Sequence, residues 1–223
     1  MSRIELNAPL LEQSARSAEA LRDRLAAQGT LVVNVMSSPG SGKTALLEAT
    51  ARRLAPRHRL AALVGDIATD RDARRLLPWM PAVQLTTGGA CHLEVPLVEN
   101  GLARLAESGI GPPEFLFIEN VGNLVCPASF DLGEHLRAVL LAVTEGDDKP
   151  QKYPKAFRTA GACVLSKVDL LPHVPFSPDA AREDARAIRP GLPFFEVSAL
   201  TGAGVDAWCD FLVATRRTRI AVS

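Results

Sequence analysis

The chain has 223 residues, 47% hydrophobic and 22% charged, and its 25 Lys+Arg balance 25 Asp+Glu to a net charge of zero. This is the length of a single α/β domain with ample material for a core, and the composition excludes intrinsic disorder. Charge balance also argues against bulk attraction to nucleic acid or anionic lipid; the longest basic runs are pairs such as Arg52-Arg53 and Arg216-Arg217, which read as solvated helix faces.

Residues 10–28 repeat helically, with Leu11, Ala15, Ala18, Leu21 and Leu25 on one face and Gly29 as a stop. The segment 1–29 is therefore set apart as an amphipathic helix that would serve either to dock a partner or to cover the sheet of the domain 30–223. It has no uninterrupted apolar core of a signal peptide, and no stretch approaches the ~20 apolar residues of a membrane span. A soluble, cytoplasmic protein is expected. Apolar runs follow at 31–36, 60–65, 82–87, 115–120, 138–144, 162–167 and 194–199, with helical stretches at 43–55, 70–77, 93–108, 179–188 and 204–217. Strands alternating with helices predict an α/β fold, a mainly parallel β-sheet with helices on both faces. The charged, Pro-containing segment 145–157 reads as a loop.

Four cysteines, Cys91, Cys126, Cys163 and Cys209, are too few and too scattered to staple a chain this long, so metal or core roles in a reducing compartment are expected.

SSPGSGKT at 37–44 follows an apolar strand and opens a helix, the setting a phosphate loop requires. Its small residues let the backbone N–H groups of Gly40, Ser41, Gly42, Lys43, Thr44 and Ala45 curl around an anion at a helix N-terminus. Lys43 would reach the β/γ-phosphates and the Thr44 hydroxyl would ligate Mg²⁺. Ser37 stands where the usual pattern has its first glycine. This predicts a P-loop NTPase.

Two later segments favour guanine. SKVD at 166–169 resembles the NKxD motif: Asp169 can accept from both N1–H and the exocyclic amine of guanine, while adenine offers neither group there. Lys167 would lie over the base, and Ser166, in place of Asn, would brace the phosphate loop more weakly. VSALTG at 197–202 resembles the SAx motif of Ser198 and Ala199, with the Ala199 N–H on the guanine oxygen. On the Mg²⁺ side, Glu119 and Gly122 form an ExxG where GTPases carry DxxG, and Asp66 ends another strand. Lys43, Asp66 and Glu119 are the expected catalytic group, with Thr44, Asp66 and Glu119 around Mg²⁺ and Gly122 offering its N–H to the γ-phosphate. Asp70 reads as a helix cap or first-turn charge.

Cys91-His92 and Cys126 carry thiol and imidazole donors suited to Ni²⁺ or Zn²⁺, although buried packing explains such residues as well. Cys163, Cys209, Trp79 and Trp208 read as packing residues, His58 as a helix-end charge, His173 as loop, and His135 as a satisfied or solvated histidine first, with an outer ligand as its alternative.

The strings VGDIATDRDA, TGGACHLE, IENVGNLVCPASFDLGE, VTEGDDKPQKYPKAF, SKVDLLP and SALTGAGVDAW, in order from about Leu31 to Trp208, resemble the nickel-inserting hydrogenase maturation GTPases, the HypB family. The resemblance implies a GTPase of the branch that dimerises around nucleotide, acting as a nickel metallochaperone for [NiFe]-hydrogenase. It further implies a metal site of Cys91, His92 and Cys126 at the dimer interface, a small zinc-containing accessory protein as partner, and delivery to the hydrogenase large subunit. The CxxCGC-type motif and polyhistidine stretch of some members do not occur here, so a separate tight nickel site is expected from a partner or not at all. A urease-accessory GTPase would carry Cys-Pro-His together, and a GTP-gated scaffold would use the cysteines only for packing.

Overall fold

The computed structural model describes residues 8–66 and 70–220. The chain runs α1 (Ala8–Ala27), β1 (Leu31–Ser37), α2 (Lys43–Leu54), β2 (Leu60–Asp66), α3 (Arg71–Leu76), β3 (Ala82–Thr86), α4 (Val95–Glu107), β4 (Phe115–Glu119), β5 (Leu136–Ala142), α5 (Lys149–Lys152), α6 (Pro154–Thr159), β6 (Ala162–Ser166), α7 (Pro178–Ile188), β7 (Phe194–Val197) and α8 (Val205–Arg219). Short 3₁₀ turns occupy Pro127–Ser129 and Val168–His173.

The seven strands form one parallel sheet in the order β3-β2-β4-β1-β5-β6-β7. Both faces are covered, which is why the central strands read as continuous apolar runs rather than alternating ones. Along β1, Leu31, Val33 and Val35 face a core built with α2, α3 and α8, while Val32 faces the core of α1 and α4 and Met36 that of α6 and α7. From β1 the chain crosses to the β4 side and later returns to the β5 side. Ligands of such sheets bind at that reversal, beyond the carboxyl ends of the strands.

The first helix buries Ala18, Leu21 and Leu25 against Val32, Leu116 and Leu132, so its C-terminal half covers its own sheet. Leu21→Ala would cost about 2–5 kcal/mol by emptying that contact. Ala15, expected on the same face, is exposed, because the helix has by then run past the sheet edge. The side chain of Leu11 lies outside the described residues.

Three further expectations change. The fifth strand begins at Leu136, which pairs with Val33, and ends at Ala142; Val143 is buried but lies beyond the last paired residue. Segment 145–157 is not a loop: α5 and α6 lie there, each with proline in its first turn, where a missing N–H costs no helical bond. Trp79 is 38% exposed and lies under the Arg52 guanidinium at 4.8 Å, whereas Trp208 is buried and donates to Thr50 Oγ1 at 3.2 Å. Among the described residues no helix is long and apolar enough to cross a membrane.

Candidate nucleotide and metal site

The loop between β1 and α2 turns at Gly42, whose φ of 92° is left-handed and available to glycine at little cost. No side chain caps α2, so its first N–H groups, from Lys43, Thr44 and Ala45, remain available to an anion. Lys43 folds back and donates from Nζ to Ser37 Oγ at 3.2 Å, while Ser37 donates to Ser38 O at 2.7 Å. The serine that replaces the first motif glycine thus holds the lysine in place. Burial pulls Lys43 below its ordinary range, opposed by the charges of Glu119, Asp72, Glu145 and Asp66.

Thr44 Oγ1 donates to Glu119 Oε1 at 2.8 Å, and Glu119 is 3% exposed, with its Oε2 buried and without a hydrogen-bond partner among the described residues. Burial pushes this carboxyl up to about 7, against the pull of Lys43. A hydroxyl beside a buried carboxylate with one oxygen left over is a donor set that fits Mg²⁺. Asp66 ends β2, the strand beside Glu119's, and its charge is felt at Lys43. Asp72 contributes to the same field at both Lys43 and Glu119, though nothing in its spacing singled it out. Asp70 sits at the α3 cap position without a side-chain cap bond and instead pairs with Arg74 at 2.7 Å.

Gly122 packs on the phosphate loop so closely that a Cβ there would lie 3.0 Å from Pro39 Cα. Two residues missed in the sequence complete the loop's support: Glu145 accepts from Ser41 Oγ, and Lys149 donates to Ser38 Oγ at 3.1 Å while pairing with Glu145 at 3.2 Å. Both lie in the segment first read as a loop, which hid them.

The segments expected to recognise the base converge on the same loop. Ser166 Oγ donates to Ser41 O at 2.7 Å, so the brace expected to be weak is made at short range. Lys167 has a φ of 60°, the one positive value at a non-glycine among the described residues, and donates to Gly40 O at 2.7 Å. Such backbone costs persist where the surroundings impose them, commonly at ligand sites. Asp169 accepts from Ser198 Oγ at 2.5 Å, which joins the SKVD and SAL segments and orients the carboxylate; Ala199 follows at the turn.

The thiol of Cys91 neighbours that of Cys126, whose hydrogen bond pushes it above the ordinary thiol range. Cys91 Sγ also lies 3.8 Å from His92 Nδ1, whose ring stacks on Phe130 at 3.8 Å and offers Nε2 to Glu94 at 3.2 Å. The two thiols meet, whereas the imidazole is held against an aromatic ring and a carboxylate. No group of three donors able to hold a metal occurs among the described residues. Cys163 and Cys209 are buried, and burial pushes the Cys209 thiol to about 12.

Cys126 lies in a segment tied down at both ends through the buried Asn34 of β1. Asn120 donates to Asn34 Oδ1 at 3.2 Å, and Asn34 donates to Glu134 Oε1 at 3.3 Å. His135 is no outer ligand: its Nδ1 accepts from Val32 N at 3.0 Å at the opposite end of the sheet from the phosphate loop.

Residues 31–196 match the family described as CobW/HypB/UreG, nucleotide-binding domain. The chain belongs to that family. It is 46% identical over 221 residues to the hydrogenase maturation factor HypB of Azotobacter vinelandii, covering 99% of this chain and 71% of the relative. Against HypB of Escherichia coli K12 the figures are 44% over 214 residues, 96% and 73%. Among solved structures, HypB from Helicobacter pylori in complex with nickel superposes with a TM-score of 0.88 at 38% identity, covering 95% of this chain and 98% of that one. The HypB likeness thus spans the phosphate loop, both thiols and the base segments, and the P-loop NTPase fold read from the strand order is that of the family.

Proposed function

We propose that this protein is a GTP-hydrolysing nickel metallochaperone of [NiFe]-hydrogenase maturation. The observation that carries the nucleotide choice is the Ser198–Asp169 bond, which fixes a carboxylate above the phosphate loop through Lys167 and Ser166. A carboxylate there accepts from two guanine donors and meets none on adenine.

The chain's residues would act mainly by position. Backbone N–H groups from Gly40 to Ala45 cradle the phosphates, Lys43 and the Gly122 N–H face the γ-phosphate, and Ser37 keeps Lys43 aimed. Thr44, Glu119 and Asp66 would hold Mg²⁺, which when bound neutralises phosphate charge. Nickel is cargo. Cys91 and Cys126 supply two thiolates and His92 an imidazole, and zinc suits the same donors. Among the described residues one chain gathers no three donors around an ion, so the reading includes a nucleotide-dependent homodimer whose second copy completes the coordination. The outward residues among 12–17 in α1 are the surface offered to the zinc-containing accessory protein, upstream of the hydrogenase large subunit. A cytoplasmic location goes with this role.

The test measures hydrolysis of GTP and ATP, and nickel bound per chain with GDP and with a non-hydrolysable GTP analogue, in the parent and Cys126→Ala. GTP-selective turnover and nickel that depends on Cys126 are expected. Equal use of ATP would remove the guanine assignment, and nickel unchanged by the substitution would leave a GTP-gated scaffold.

A further inference from the structure

A second charged cavity lies at the amino ends of the strands, at the opposite end of the sheet from the phosphate loop. It measures about 280 Å³, and four arginines reach it, Arg22, Arg137, Arg189 and Arg219. Each comes from a different element: α1, β5, the residue capping α7, and the last residue of α8. Arginines on a solvated helix face diverge, whereas these converge from positions far apart in the chain.

Among the described residues two carboxylates share the cavity, those of Asp131 and Glu134. Arg22 pairs with Asp131 at 2.6 Å, and Arg137 donates to Glu134 at 2.7 Å. Arg189 and Arg219 have no carboxylate partner among the described residues; each gives an N–H to a backbone carbonyl, Arg158 O at 3.1 Å and His135 O respectively. Their remaining guanidinium donors are left for a ligand. His135 also lines the cavity and is neutral, since its Nδ1 accepts from Val32 N. Burial, then the positive charges of Arg22 and Arg219, hold it down to about 4. Among the described residues the lining carries more positive than negative charge, which favours an anion there.

We propose that this cavity binds a small tetrahedral oxyanion, inorganic phosphate or sulfate. The planar fork of each guanidinium matches two oxygens of such an ion. The lining is polar, open to solvent on one side and small, at about 280 Å³, which suits a small ion.

The experiment titrates inorganic phosphate, and separately sulfate, into the protein saturated with GDP and Mg²⁺, so that the phosphate loop is already filled. Calorimetry gives the stoichiometry, and the ring C–H resonances of His135 report the location. One anion per chain is expected, with a shift at His135. Arg189→Gln and Arg219→Gln should each weaken binding about tenfold or more, the scale of a charge-assisted hydrogen bond, with GDP affinity unchanged. No uptake up to the solubility limit, or uptake unchanged in both variants, overturns the proposal. Should neither variant fold, an anion-dependent shift at His135 in the parent supports the site and its absence rejects it.

Discussion

The Ser166 hydroxyl donates to Ser41 O at 2.7 Å, linking the first residue of the base segment to a carbonyl of the phosphate loop. The shorter side chain reaches because Ser166 ends β6, one strand beyond β5, with the loop curling toward it. Ser166→Ala leaves that carbonyl without its donor, a cost of about 1–2 kcal/mol. Guanine nucleotide affinity should fall about five- to thirtyfold, as read by equilibrium titration. An unchanged affinity would mean that the loop holds its shape without the brace.

In the proposed GTPase Asp169 would select its base by accepting hydrogen bonds, and Asn at this position offers one acceptor and one donor instead. Xanthine presents N1–H and a carbonyl where guanine has its amine. Asp169→Asn is therefore expected to weaken GTP by about a hundredfold and to favour XTP, within the range of lost hydrogen bonds to charged groups. Turnover measured on both nucleotides checks it, and equal loss on both would point to general collapse of the site.

Glu119 titrates near 7 in the folded chain against an ordinary value of 4.5. Between those values the native state holds a proton that the unfolded state has released, so native stability falls as pH rises across the interval. The penalty is absent below about 4.5, grows through the interval, and is complete above about 7, at roughly 3 kcal/mol. Metal-free Glu119→Gln should lose this slope and exceed the parent in melting temperature at about pH 8. Mg²⁺ should then stabilise the parent and not the variant. Thermal denaturation over a pH series in chelator, then with Mg²⁺, measures both.

Cys91 is held above the ordinary thiol range by its neighbour Cys126, so more base is needed to free its thiolate. Metal binding requires the thiols deprotonated. Nickel uptake should therefore release protons and weaken steeply as pH falls. Cys126→Ser should lower nickel affinity by on the order of a hundredfold, at or above the effect typical of outer-shell partners. Competition with a chromophoric chelator at several pH values gives both numbers.

Gly122→Ala places a methyl 3.0 Å from the Pro39 backbone, tighter than the loop tolerates without moving. Nucleotide binding should weaken while the melting temperature of the nucleotide-free protein stays close to the parent's. A large loss of stability instead would assign Gly122 to the core.

The strands were legible because two buried faces demand uninterrupted apolar runs, and the phosphate loop because its chemistry is local. Arg137 was not: a charged residue inside β5 makes sense only beside Glu134, which pairs with it from outside the strand. For the same reason β5 was first placed two residues late. The helices α5 and α6 are too short to show a period, and they hid Glu145 and Lys149. Ser37 looked like a defect in the motif until its bond to Lys43 was visible. Asn34 gave no sign of its role, since a lone amide in an apolar strand has meaning only through its two distant partners, Asn120 and Glu134.

The central position of β1 sets an order of events during synthesis. Leu31 pairs with Phe115 and Val33 with Leu136, so β1 waits for both of its neighbours until synthesis has passed residue 136. Contacts so distant in sequence form slowly. The phosphate loop hangs from that strand, and the proposed base contacts reach to Ala199. A nascent chain would therefore assemble the proposed nucleotide site only after β7 and the turn at Ala199 have been made.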